Sequence, residues 1–346
     1  MNFSNASLKT LSVHFVGNKS SDQGLVLSKK PLDLDTALQN RIKDYFLNRF
    51  VSIFDTHSFS HPSSLQYNEV YNVVAGIFSG ENSFHLASVQ LAQHLYKNSG
   101  HPKIKGGEFY VCAFENCIFE NETVNAFGIF KTETKTNFFE VSEEKSRFTI
   151  LLKEGIDINK LDKGCLIFNT KHKEGFRVLM VDTQSRGEEA QYWKEDFLGL
   201  APVNNEFQQT NQFLSMTKNF VTQQMVDEFD MNKTDQIDLL NRSVDYFKKN
   251  ETFDKSHFEK EVFQDKGLIK SFHAYDETYR QEHEIDLNDR FDISVQAVKR
   301  QARVFKSVLK LDKNFHIYIH GDKQLIEQGV EKDGRKFYKI YYNVEN

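Results

Sequence analysis

The sequence predicts an α+β fold: a sheet-rich, largely antiparallel N-terminal half, then a helical C-terminal half ending in a β-hairpin. Three observations carry this. Between Glu108 and Asp182, five short strand-like runs follow one another with no helical stretch between them, the pattern of an antiparallel sheet. From about residue 191 to 283, apolar residues recur at helical spacing. Near the end, Asp333-Gly334 sits between two alternating runs, a strong short-range hairpin signal.

Taken in order, residues 8–16 and 24–28 read as strands joined by the turn-rich GNKSSDQ. DLDTALQNRIKDYFLNRF places Leu38, Ile42, Tyr45, Phe46 and Arg49 on one helical stripe, with Asp33 or Asp35 as N-cap. Residues 69–79 and 83–97 read as two further helices, the second opened by Ser83. The five strand-like runs are FYVCAF, ETVNAFGIFKT, SRFTILL, GCLIFNT and FRVLMVD. TQSRGEEA is the expected linker, dividing a sheet-rich domain (1–186) from a mainly helical one (187–346).

Just beyond it lies YWKEDFLGLAPVNNEFQQT, with the chain's one Trp. Trp193, Phe197 and Leu198 form the apolar face of a short helix. Gly199 supplies a left-handed cap, Pro202 prevents resumption, and Asn204 or Asn205 caps the next helix. Trp193 is expected to anchor the sheet half to the helical half. The helical half then shows Phe207, Phe213, Leu214, Phe220, Val221 and Met225, followed by Ile237, Leu240, Val244 and Phe247. In NFHIYIHG, Phe315, Ile317 and Ile319 alternate with His316, Tyr318 and His320. LIEQGVEKDGRKFYKIYY is the terminal hairpin.

At 346 residues the chain exceeds the usual single core, which suits two domains or one large one with an appended lobe. A formal charge of -5 argues against a general polyanion-binding surface, so any phosphate site must be local. The N-terminus has no secretory pattern, and no run of eighteen apolar residues suits a membrane span. Cys112, Cys117 and Cys165 suit buried, reduced thiols and a cytoplasmic setting.

Motifs that bear chemistry are sparse, and no catalytic residue, metal or cofactor is expected. His316 and His320 lie on one face of a strand, too far apart for one metal, and His57 and His61 lie in a loop without acidic partners. CAFENC lacks the ligands of a zinc ribbon. KIKGGEFYV is a turn feeding a strand, not a phosphate cradle at a helix N-terminus. The acidic EHEIDLNDRFD (282–292) would need Glu284 and Asp286 on a divalent metal to act as a hydrolase or nuclease.

The informative charge feature follows it. ISVQAVKRQARVFKSVLK (293–310) carries Lys299, Arg300, Arg303, Lys306 and Lys310 and no acidic residue. Read as one helix, Val295, Val298, Ala302, Phe305 and Leu309 form an apolar stripe. Lys299, Arg303, Lys306 and Lys310 then fall on an adjoining face, a basic amphipathic helix suited to phosphates, to an acidic protein surface or to a membrane face. Either these five residues contact nucleic acid or they pair with the acidic block before them.

Several segments, in order along most of the chain, resemble the bacterial 37 kDa nucleoid-associated protein family. They are LSVHFVGN and GLVLSKKPLDL, HLASVQLAQHLY and HPKIKGGEFYVCAF, then YWKEDFLGLAPVNNEFQQT, and finally FHIYIHG with GVEKDGRKFYKIYY. The resemblance implies a cytoplasmic protein found with the bacterial nucleoid, binding DNA directly or through nucleoid proteins, with no catalytic residues to carry over. Its partners would be DNA and nucleoid proteins and no membrane, with homo-oligomerisation left open. A second reading is an adaptor that docks on a DNA-processing enzyme without touching DNA itself.

Overall fold

The computed structural model describes residues 1–183, 192–229, 231–305, 308–319 and 325–344. The expected α+β architecture is present, with a large antiparallel sheet first, helices next and strand pairs at the end. Two compact units, Met1–Val203 and Asn204–Asn346, divide the chain.

The first unit contains strands β1 (Ser7–Val16), β2 (Leu25–Val26), β3 (Thr56–Phe59), β4 (Gly107–Phe119) and β5 (Glu122–Thr132). β6 (Lys135–Glu144), β7 (Arg147–Ile156), β8 (Lys163–Phe168), β9 (Arg177–Asp182) and β10 (Leu200–Pro202) follow. Eight of them form one sheet in the order β10-β3-β9-β8-β5-β4-β1-β2, every neighbour antiparallel, while β6 and β7 pair only with each other. Both faces of the central strands are buried. Phe109 and Val111 of β4, Phe127 and Ile129 of β5, and Cys165 and Ile167 of β8 join one core. Cys112 and Phe114, Ala126 and Phe130, and Leu166 and Phe168 join the other. This period of two explains why GCLIFNT reads as continuously apolar.

Helices α2 (Glu69–Phe78) and α3 (Phe84–Lys97) supply Val70, Val74, Leu91 and Leu95 to the first core. Helix α1 (Thr36–Leu47) supplies Phe46 and Leu47 to the second. Of the two expected caps for α1, Asp35 is the one used, accepting from the Leu38 N–H at 2.8 Å. Phe46 stacks on Phe130 with centroids 4.0 Å apart. A Cβ at Gly128 would come within 2.5 Å of the Phe130 ring, so glycine makes that stacking possible.

Two of the sequence expectations shift here. His57 is in β3, not in a loop, and is buried, which lowers its pKa. Trp193 is fully buried in the first unit's own core, with its ring 5.0 Å from that of Phe197. Tyr192–Leu198 is a π-helical segment, Gly199 takes φ +63°, and β10 then pairs with β3. The Asn68 side-chain amide donates to the Leu198 and Gly199 carbonyls at 2.9 and 3.2 Å. The tryptophan segment is therefore part of the sheet unit, and the division between units follows it.

Tyr192 also organises a buried polar cluster. Lys131 and Lys163 are almost wholly buried and lie 5.8 and 5.2 Å from the Tyr192 ring centroid. The Lys131 ammonium donates to Glu133 Oε1 at 2.9 Å and to the Lys105 carbonyl at 2.6 Å, and the Tyr192 hydroxyl donates to Glu133 Oε1 at 2.9 Å. Lys163 donates to both Asp182 oxygens, at 3.0 and 2.9 Å. Burial lowers the Lys131 pKa, and the Glu133 carboxylate opposes that shift.

His14 of β1 is a buried histidine with a defined tautomer. The Ser28 backbone N–H donates to Nδ1 at 3.1 Å, so the ring proton is on Nε2, which faces Ser88 Oγ at 3.0 Å. Burial, with neighbouring His85 second, lowers its pKa from 6.5 to about 4. Between those values the unfolded chain binds a proton that the folded chain refuses, so stability falls as pH drops. The expected loss is about 3 kcal/mol over that window, with no contribution above it. Urea midpoints for wild type and His14→Gln at neutral and acidic pH check this, the variant losing less on acidification.

The second unit contains α4 (Glu206–Asn219), α5 (Lys233–Lys249), α6 (Lys266–Glu282) and α7 (Val295–Val304), with short helical turns between them. Asn205 caps α4 through its side chain, which accepts from the Gln208 N–H at 3.0 Å. The core is strongly aromatic: Phe213 contacts the rings of Phe247, Phe253, Phe258 and Phe272. Strands β11 (Thr252–Asp254) and β12 (Arg290–Asp292) pair, as do β13 (Val308–Leu311) with β14 (Phe315–Tyr318) and β15 (Ile326–Val330) with β16 (Lys336–Ile340). The last pair is the expected hairpin, with Gly334 at φ +86° in its turn. No described helix is long and apolar enough to cross a membrane.

Candidate functional site

The basic segment is a shorter helix than the expected 293–310. Ser294 caps α7, its side chain accepting from the Ala297 N–H, and the helix ends at Val304. Two devices fix it on α4. The Gln301 amide donates to Asn211 Oδ1 at 2.6 Å and Ser215 Oγ at 2.9 Å, and the Ser294 N–H donates to Thr210 Oγ1 at 3.0 Å. Ala297 and Val298 are buried beneath it, which leaves Lys299, Arg300 and Arg303 exposed.

Lys310 is not on that helix. It lies in β13, opposite His316 of β14, and its side chain is exposed. The helical template failed because Leu309 satisfies two patterns at once. It continues the apolar stripe of α7, but in the structure it packs with Ile237 and Ile319 as a strand residue. The turn at 312–314, with Asp312 at φ +49°, closes the β13–β14 hairpin and overrides helical continuation. Lys306 lies outside the described residues, as does His320.

What α7 does create is one wall of a groove of about 630 Å³. The groove is lined by the apolar Phe247, Ile293, Val295, Val298 and Ala302, by Lys248 and Lys249 from the end of α5, and by Lys299 and Arg303 of α7. Glu251 is the one acidic residue in the lining. Lys248 is 3.3 Å from Asp245, whereas Lys249, Lys299 and Arg303 have no ion-pair partner among the described residues.

Three acids of the block before α7 have partners elsewhere. Asp289 is 3.6 Å from Arg280, Arg290 pairs with Asp254 at 2.6 Å, Asp292 accepts from Thr252 at 3.3 Å, and Asp286 accepts from Asn204. Self-neutralisation by this block is therefore not what Lys299 and Arg303 do. Nor do Glu284 and Asp286 belong to a metal-binding set: among the described residues, no group of three or more His, Cys, Asp and Glu is placed to hold a metal ion. The three cysteines are buried and free, and burial pushes the Cys117 thiol up to about 12.

Lys248 and Lys249 escaped the sequence reading. Their signal is a Lys-Lys pair in the last turn of a helix, which reads equally well as a charge match to the helix dipole. Only the packing of α5 beside α7 joins them to the other bases. The groove combines four cationic side chains with apolar lining residues.

No curated protein shows significant similarity to the chain. A family model described as nucleoid-associated protein YejK matches residues 12–336, spanning both units from β1 to the first residue of β16. The chain belongs to this nucleoid-associated protein family.

Proposed function

We propose that this nucleoid-associated protein contacts DNA directly, with the groove between α5 and α7 receiving the phosphate backbone. The observation that carries the reading is the convergence of Lys248, Lys249, Lys299 and Arg303 on one groove in a chain of net charge -5. In a chain with that balance, a local set of cations, three of them without an ion-pair partner among the described residues, is the feature that a polyanion would recognise. Arg300 is exposed on the same helix, and Lys310 follows on β13. In this reading the protein acts in the bacterial cytoplasm, is not an enzyme, and uses no metal or cofactor.

Contacts of this kind read no base edges, so binding is expected to be insensitive to DNA sequence. Fluorescence anisotropy with two labelled duplexes of unrelated sequence tests this, and the expected affinities agree within a few-fold. An adaptor that docks on a nucleoid protein without touching DNA gives a different result: no anisotropy change, and partner capture that survives nuclease digestion.

A further inference from the structure

The β6–β7 hairpin is the most exposed apolar structure in the first unit. Its ten-residue strands pair in full register from Lys135–Ile156 to Glu144–Arg147, yet neither strand joins the eight-stranded sheet. Residues directly opposite in an antiparallel pair share a face, so the hairpin has two different sides. One carries the Glu140–Lys153 ion pair, the Ser142–Thr149 hydrogen bond and Phe138, whose ring lies over Gly155. The other carries Phe139 opposite Leu152, Val141 opposite Ile150, and Phe148.

That second face is unprotected. Phe139 and Phe148 are 73% and 75% exposed, and Val141, Ile150 and Leu152 are 60%, 66% and 65% exposed. An isolated two-stranded hairpin is marginal in water, and a contiguous apolar patch of this kind marks an interaction surface. We propose that two copies of this chain associate by packing these apolar hairpin faces against each other about a two-fold axis.

The area supports a second copy as the occupant. With aromatic side chains presenting roughly 150–250 Å² each, the five residues expose on the order of 600 Å² per copy. Two such faces bury on the order of 1,200 Å² together, the lower end of a specific interface. A self-complementary face needs no second evolved surface, and face-to-face sheet packing interdigitates such side chains.

Sedimentation velocity of the full chain tests the proposal. Wild type is expected to sediment as a dimer, and Phe139→Glu/Ile150→Lys as a monomer with unchanged circular dichroism, because both positions are exposed in a single copy. Val141→Cys is expected to form an inter-copy disulfide on oxidation; the native cysteines are buried and do not compete. A wild type that stays monomeric up to about 100 μM overturns the proposal. So does a double variant that dimerises as well as wild type. A monomeric wild type that binds phosphatidylglycerol vesicles would assign the face to a lipid surface instead, and would equally overturn it.

Discussion

Lys131→Met is expected to destabilise the protein by about 3–5 kcal/mol, the cost of removing one partner of a buried ion pair. The Lys131 side chain is wholly buried and that of Glu133 is only 5% exposed. Once the ammonium is gone, the carboxylate keeps only the Tyr192 hydroxyl as a side-chain donor, at 2.9 Å. An uncompensated buried charge is far worse than none, so Lys131→Met/Glu133→Leu is expected to recover a large part of the loss. Urea unfolding of wild type, each single variant and the double variant measures the coupling. A Lys131→Met protein within about 1 kcal/mol of wild type would show that the cluster is not the buried network described.

Lys299→Glu/Arg303→Glu is expected to weaken DNA binding by about 10²-fold at low salt and to reduce the salt slope by about two. Both side chains are exposed and have no ion-pair partner among the described residues, so the melting temperature should not change. The neutral pair Lys299→Gln/Arg303→Gln separates lost attraction from added repulsion. It should reduce the slope equally but cost less affinity. Adding Lys248→Glu/Lys249→Glu extends the loss if the α5 lysines share the site. Retained affinity in the four-residue variant would place DNA elsewhere on the chain.

How far the sequence spoke depended on whether one local pattern had one physical solution. The central strands were legible because their apolar runs are buried on both sheet faces and bounded by turn residues. Helices α1, α2 and α3 were legible from apolar spacing and plausible caps. Tyr192–Leu198 was legible as a short helix but not as a π-helical one, and the π-helical turn at Glu259–Phe263 was not legible. β3 and β10 are three or four residues long and exist through their partners alone. β6 escaped because TNFFEVSEE mixes charge with aromatic residues on a strand whose apolar side faces no core in a single copy.

The candidate site divides in the same way. Lys299, Arg300 and Arg303 were visible as basic residues on an amphipathic helix, because the helix itself forms. Lys310 was misplaced because a hairpin captured Leu309 for a different core. Lys248 and Lys249 needed tertiary packing to enter the groove at all. The tryptophan segment shows the same limit: its Gly199 cap was readable locally, but its membership in the sheet unit depended on Asn68 and β3, far earlier in the chain.

The central claim is a direct phosphate contact in the α5–α7 groove, and a salt titration of DNA affinity tests it most directly. Four cations on phosphates predict a slope of log affinity against log salt of about -3 to -4 for wild type. The Lys299→Glu/Arg303→Glu protein should fall to about -1 to -2. Wild-type and variant titrations that superimpose, or a wild-type affinity indifferent to salt, would contradict it.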